Sequence, residues 1–252
     1  LELGIGAYIG IAILAFVCEL IDSSLGMMYG TILAPLLIIM GFDPLLVVPS
    51  ILLSQAVGGF VAAVFHHRLG NVYFSLKSVD FKAVCIITAF GIIGVAIALA
   101  VALNVPSWVM TAYIGVLVIT MGVIILSRRK FSFSWKRLSL VGFVSSFNKA
   151  MSGGGFGPVV ATGQIISGVD SKNAIGITTL SEAPICIASF IGYLLFHPGF
   201  TWGMALALLA GASVAGTVGP YITKYLPSSR LRMIVGVLAI VLGIWTLVKI
   251  LT

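Results

Sequence analysis

The sequence predicts an all-α polytopic membrane protein built from two inverted-topology repeats. Each repeat has a leading broken or re-entrant helix pair followed by three long transmembrane helices. Three observations carry this. The 252 residues are 60% hydrophobic and 8% charged, with a mean hydropathy of +1.20, whereas soluble domains carry about 25% charged residues. The chain meets itself when shifted by 127 residues. Its basic residues fall in alternate loops.

The long elements come first. Apolar runs cover Leu3–Leu20, Leu45–Phe65, Ala83–Leu103, Trp108–Leu126, Ile175–Phe196, Trp202–Ile222 and Met233–Val248. Several reach the roughly 18–20 residues that cross a hydrocarbon core. Between them lie two shorter runs, Leu138–Ala150 and Phe156–Ile166. At about 1.5 Å per residue each covers about half of a 30 Å core. They read as half-helices that enter and leave on one side. Leu3–Leu20 is long enough to span, so eight elements and ten crossings both remain open. The first residues lack a basic n-region, and no cleavable signal peptide is expected.

The self-match defines the halves. Phe16 falls on Phe143, Gly26 on Gly153, Tyr29-Gly30 on Phe156-Gly157, Gly41 on Gly168 and Asp43 on Asp170. Leu53-Ser54-Gln55-Ala56 falls on Leu180-Ser181-Glu182-Ala183. Later the offset becomes 121, with Pro106-Ser107 on Pro227-Ser228. The repeats are residues 1–126 and 127–252, joined by the basic linker Ser127–Arg137.

Charge then fixes their relation. Twelve of the fourteen Lys and Arg lie at Arg68–Lys82, Arg128–Arg137, Lys172 and Lys224–Arg232, and the intervening loops hold none. By the positive-inside rule the basic loops are cytoplasmic. The run ending at Phe65 leads into a basic loop. Its counterpart ends at His197-Pro198-Gly199, which is uncharged, so equivalent helices run oppositely. That is the plan of many secondary transporters, whose sites lie at mid-membrane between the repeats. The net charge of +7 is an insertion signal, not a nucleic-acid surface.

The glycine breaks carry the site prediction. Broken backbone at membrane depth must be packed in protein or line a wet cavity. A half-helix starting there points free N–H groups and its positive end at an anion. The second break offers Lys149, Ser152, Gly153, Gly154, Gly155 and Phe156, with Gln164 one helix face further. The first offers Ser23, Ser24, Gly26, Tyr29, Gly30 and Thr31. Close helix packing through small residues is the competing reading; it suits Gly91, Gly94, Gly216 and Gly219.

A lysine inside a membrane segment is functional or paired. Asp22 aligns with Lys149, so an Asp22–Lys149 pair and an anion-attracting Lys149 tuned by Asp22 are both open. Glu19, one turn earlier, is another partner. Glu182, the counterpart of Gln55, is a protonatable coupling group or a neutral carboxyl bonded to a neighbouring hydroxyl. His66-His67-Arg68 suits a headgroup-facing role, since adjacent histidines lack metal spacing. Cys18, Cys85 and Cys186 read as buried free thiols. No metal site, cofactor, nucleotide loop or catalytic constellation is expected, and the chain does not read as an enzyme.

The stretches SSLGMMYGTILAPLLIIMGFDP, HHRLGNV and SGGGFGPVVATGQIISGVDSKNAIGITTLSE resemble the TauE/SafE sulfite exporter family, also called the 4-toluene sulfonate uptake permease family. One position departs: that motif usually reads GMGYG, and here it is Gly26-Met27-Met28-Tyr29-Gly30. The resemblance implies a multi-pass permease of the bacterial inner membrane for sulfite, thiosulfate or an organosulfonate. Direction and substrate vary among the family's members; the inverted plan points to alternating access, and an inside-negative potential favours export of a monoanion. A channel-like anion pathway and a non-transporting membrane partner of sulfur metabolism are the alternatives. Expected partners are the small anion and the lipid bilayer, without nucleic acid; a homo-oligomer is left open.

Overall fold

The computed structural model describes residues 4–127, 134–166, 169–197, 200–225 and 229–251. Most of the basic linker, Gly168, Pro198-Gly199 and Pro227-Ser228 lie outside these residues. Among the described residues the protein is all α, with ten helices: α1 (Ile5–Leu25), α2 (Tyr29–Ile39), α3 (Pro44–Arg68), α4 (Val79–Ala102), α5 (Ser107–Leu126), α6 (Trp135–Ser152), α7 (Phe156–Ile166), α8 (Ser171–Phe196), α9 (Trp202–Tyr225) and α10 (Ser229–Leu251).

Six of them, α1, α3, α4, α5, α8 and α9, are long and apolar enough to cross a bilayer. Large apolar side chains stand outward along these helices and α10, among them Ile13, Ile93, Val116, Val214 and Val241. An outer surface of this kind requires hydrocarbon around it. The protein is a multi-pass membrane protein. Cys18 and Cys186 are buried as expected, but Cys85 is exposed, because on α4 a small apolar thiol can equally face lipid.

The short helices α2 and α7 have 11 residues each, about half a bilayer in length. α7 has the predicted bounds. α1 runs past Leu20 to Leu25, and α6 runs from Trp135 to Ser152, beyond the predicted half-helix. The residues just beyond the predicted ends, Asp22, Ser23, Ser24, Met151 and Ser152, are buried inside the protein. Burial by neighbouring helices lets these two helices run past the ends that hydropathy predicts.

Backbone chemistry sets the ends. α1 and α6 both close on a left-handed glycine, Gly26 (φ 72°) and Gly153 (φ 74°), a conformation that costs a residue with Cβ. α3 and α8 both open on an aspartate cap. Asp43 Oδ1 accepts from Leu45 N at 2.7 Å, and Asp170 Oδ2 from Lys172 N at 2.9 Å. These caps satisfy donors that the first turn leaves free.

α1 packs along α9 and α6 along α4; α5 pairs with α10, and α3 lies against α8 and α9. Glycine makes these approaches close. A Cβ on Gly94 would collide with Phe143 of α6, and one on Gly216 with Gly58 of α3. Two ends of the bundle can be traced. At one end Asn173 of α8 reaches Asp80 of α4 at 2.9 Å, and Lys82 of α4 covers Trp135 of α6. At the other end Ser107 of α5 reaches Asp43 at 3.0 Å, and Lys249 of α10 donates to the carbonyls of Ile38 and Ile39 that end α2.

Candidate functional site

The two breaks cross each other. A Cβ on Gly30 would overlap the carbonyl of Gly153, and a Cβ on Gly157 would overlap the carbonyl of Gly26. Gly154 lies equally close to Gly30 and Thr31. Only bare backbone fits at these points. Gly26, Gly30, Gly153, Gly154, Gly155 and Phe156 are all buried. The amides already have acceptors: Gly153 N donates to Lys149 O at 2.8 Å, Gly154 N to Ser152 Oγ at 3.1 Å, and Gly155 N to Thr31 Oγ1 at 3.4 Å. The open cradle expected at Gly153–Gly155 is therefore a sealed crossing in this conformation.

Beside the crossing lies a buried charged network. Lys149, only 1% exposed, pairs with Glu182 of α8 at 2.8 Å. It also donates to Gln55 Oε1 of α3. Gln55 Nε2 in turn donates to Asp22 Oδ2 at 3.1 Å. The expected direct Asp22–Lys149 contact is replaced by a chain, with the Gln55 amide inserted between them. Glu182 is not a carboxyl bonded to a neighbouring hydroxyl; it is the counter-ion of Lys149. A buried ion pair of this kind needs further hydrogen bonds to hold it, and Gln55 supplies one.

The first break has its own anion. Asp22 Oδ1 accepts from the Tyr29 amide at 3.0 Å, at the start of α2. An internal carboxylate thus occupies the positive end of this helix. The Tyr29 ring is fully buried, and its hydroxyl meets Ser54 Oγ at 2.7 Å. Ser54 Oγ donates onward to Ile51 O at 2.9 Å, so the tyrosine is the donor. At the second break the equivalent position carries Lys149, and among the described residues no side-chain carboxylate accepts from the first amides of α7.

Not every sequence candidate joins this network. Ser23 Oγ bonds back to Glu19 O at 2.6 Å, and Ser24 Oγ reaches Gly219 O of α9 at 3.2 Å; both serve the α1–α9 contact. Gln164 Nε2 bonds Val160 O and Thr178 Oγ1, at the α7–α8 contact. Ser152 Oγ bonds Asn148 O at 2.7 Å and stays at the break. Glu19 is buried beside Asp22, and neither of its oxygens has a partner among the described residues.

Other site residues are not expected from the sequence alone. His66 is fully buried, not headgroup-facing. Its Nε2 lies 2.9 Å from Ser23 O, and Asn71 Nδ2 bridges His66 Nδ1 and Pro220 O. Tyr193 OH donates to Ala150 O at 2.9 Å. Tyr113 OH donates to Asn148 Oδ1 at 2.6 Å. The 127-residue shift aligns His66 with Tyr193 and Ser23 with Ala150. That alignment is the signal from which the two carbonyl caps were readable.

A membrane bundle holding a lysine and three carboxyl groups at its centre points to solute movement. Comparison decides the family: the model described as Sulfite exporter TauE/SafE matches residues 11–246. The chain belongs to the TauE/SafE family. It is a membrane transporter, not an enzyme. Among curated proteins, the TauE/SafE chain is similar to the "Probable membrane transporter protein YtnM" of Bacillus subtilis (strain 168). They are 26% identical over 253 residues, covering 94% of this chain and 82% of the relative. No solved structure matches. The TauE/SafE match spans both breaks and all four residues of the Asp22–Gln55–Lys149–Glu182 chain.

Proposed function

We propose that this transporter moves a small sulfur-containing anion, sulfite or an organosulfonate, by alternating access around Lys149 and the second break. The single observation that carries the reading is the unequal filling of the breaks. The start of α2 already holds the Asp22 carboxylate, whereas among the described residues no side-chain carboxylate accepts from the first amides of α7, and Lys149 lies one turn before that break. An incoming anion takes that place. It exchanges with Glu182 for the ammonium and draws on Ser152 and the first amides of α7. Gln55 keeps Lys149 positioned during the exchange.

The same reading makes residues 1–126 and 127–252 two inverted halves. Its support is the pairing of contacts: α1 on α9 answers α6 on α4, and α2 with α10 answers α7 with α5. α3 starts at the end that holds Asp43 and Ser107, while α8 starts at the end that holds Asp80 and Asn173. Arg68, Lys82, Lys136 and Lys172 flank the helix ends at the second of these, which the proposal places in the cytoplasm of a bacterial inner membrane. A monoanion crossing without a coupled cation would be driven outward by an inside-negative potential, by about 2.3 kcal/mol per 100 mV.

The test is flux of sulfite, thiosulfate and sulfoacetate in liposomes, with binding measured by calorimetry. The double variant Lys149→Met/Glu182→Gln strands no charge, so it should fold and yet lose about a hundredfold or more in anion affinity. Glu182→Gln alone frees the ammonium and should tighten binding by about tenfold. Unchanged affinity in both variants would sink the proposal.

A further inference from the structure

The network leaves one acid unserved. Asp22 accepts from the Tyr29 amide and from Gln55, and Glu182 has Lys149. Glu19, 1% exposed, has no hydrogen-bond partner for either oxygen among the described residues. We propose that Glu19 is a proton-binding site and that one proton accompanies each monoanion through the transporter. This rests on the transport reading above and adds its coupling.

The surroundings of Glu19 favour a proton over other ligands. Cys18 and Asp22 stand near it on α1, Tyr29 on α2, Lys149 on α6, and Glu182 and Cys186 on α8. α3 brings the neutral Gln55 and, at the Ser23 carbonyl, His66. α9 carries no Asp, Glu, His or Arg, and its one lysine, Lys224, is at its last turn. Three carboxyl groups thus share one ammonium, and that ammonium is held by Glu182. A carboxylate buried without a donor is costly, and a proton removes the cost. No group of three His, Cys, Asp or Glu side chains able to hold a metal ion is present among the described residues, and a metal needs several oxygens at once.

Coupling follows from the charge count. An anion that takes Lys149 releases the charge of Glu182 and adds its own. The cluster then binds its proton more tightly, and by reciprocity the proton strengthens anion binding. Proton and monoanion crossing together carry no net charge, so the membrane potential drops out of the driving force.

Methanesulfonate is the probe, because its sulfonate does not titrate and every proton moved belongs to the protein. Full-length protein in liposomes should take up protons with methanesulfonate, at a rate indifferent to a potassium diffusion potential set with valinomycin. Glu19→Gln should move protons about tenfold less per anion, and its remaining flux should follow the imposed potential. Three results overturn the inference while leaving transport intact: voltage-driven methanesulfonate flux without protons in the wild type, proton movement undiminished in Glu19→Gln, or flux that requires sodium. Absence of both methanesulfonate and sulfite flux overturns the transport reading, and the coupling with it.

Discussion

The first break and the second break have the same backbone and different chemistry. Each ends its leading helix on a left-handed glycine whose amide returns to the carbonyl four residues back, Asp22 in one case and Lys149 in the other. Each then needs a second residue at positive φ, Met28 (145°) and Gly155 (78°). Each has its preceding carbonyl capped by a ring from a long helix, His66 or Tyr193. At matched positions the side chains differ: Glu19 and Ser146, Asp22 and Lys149, Gln55 and Glu182. The frame is duplicated while the chemistry is not. A matched pair of charges would repel across the crossing; opposite charges linked by an amide attract.

The largest expected effect breaks what the two regions share. Gly30→Ala places a Cβ inside the Gly153 carbonyl, with backbone on both sides and no flexible side chain to yield. It should cost about 4 kcal/mol or more, seen as loss of folded protein on size-exclusion chromatography in detergent. A folded, active Gly30→Ala would mean that the breaks do not touch.

Next come the two ring caps. His66→Leu removes the ring's bond to the Ser23 carbonyl, leaving only the longer one from Thr223, and takes one of two acceptors from Asn71, so it should lower thermal stability by about 1–3 kcal/mol. Tyr193→Phe removes one bond and keeps the ring. It should cost about 1 kcal/mol. Equal effects would show that Asn71 adds nothing to the histidine.

The smallest effect concerns position 28. A methionine at φ 145° is strained, at about 1–3 kcal/mol, yet its buried side chain contributes a similar amount. Met28→Gly should therefore shift stability by less than about 1 kcal/mol. At the matched position Gly155→Ala adds the same kind of strain and a Cβ 3.1 Å from Leu117, so it should destabilise. If Met28→Gly destabilised as much, the side chain would outweigh the backbone.

Much of this plan is legible in the sequence, and particular residues show where legibility stops. α7 is readable to the residue because glycine and proline mark its start and its apolar run marks its end. α1 and α6 are misjudged at their ends, since the predicted runs stop at Leu20 and Ala150 whereas neighbouring helices bury Asp22, Ser23, Ser24 and Ser152 beyond them. The alignment of Asp22 with Lys149 says that the two are equivalent in position. It says nothing about contact, and Gln55 separates them. His66 reads as interfacial because it precedes a basic loop. Its burial depends on Asn71, five residues further on, and on Pro220, which the packing of α9 brings to Asn71.

The glycine crossing also limits how the molecule can move. Where Gly30 meets Gly153 there is no rotamer to flip and no side chain to swing aside. Two segments crossing this closely would act like a fulcrum: one could tilt on the other, but neither could be lifted away without breaking the fold. Any rocking must pivot close to this point. A pivot transmits small angles into large displacements only far from itself, so the helix ends travel while the centre stays nearly still.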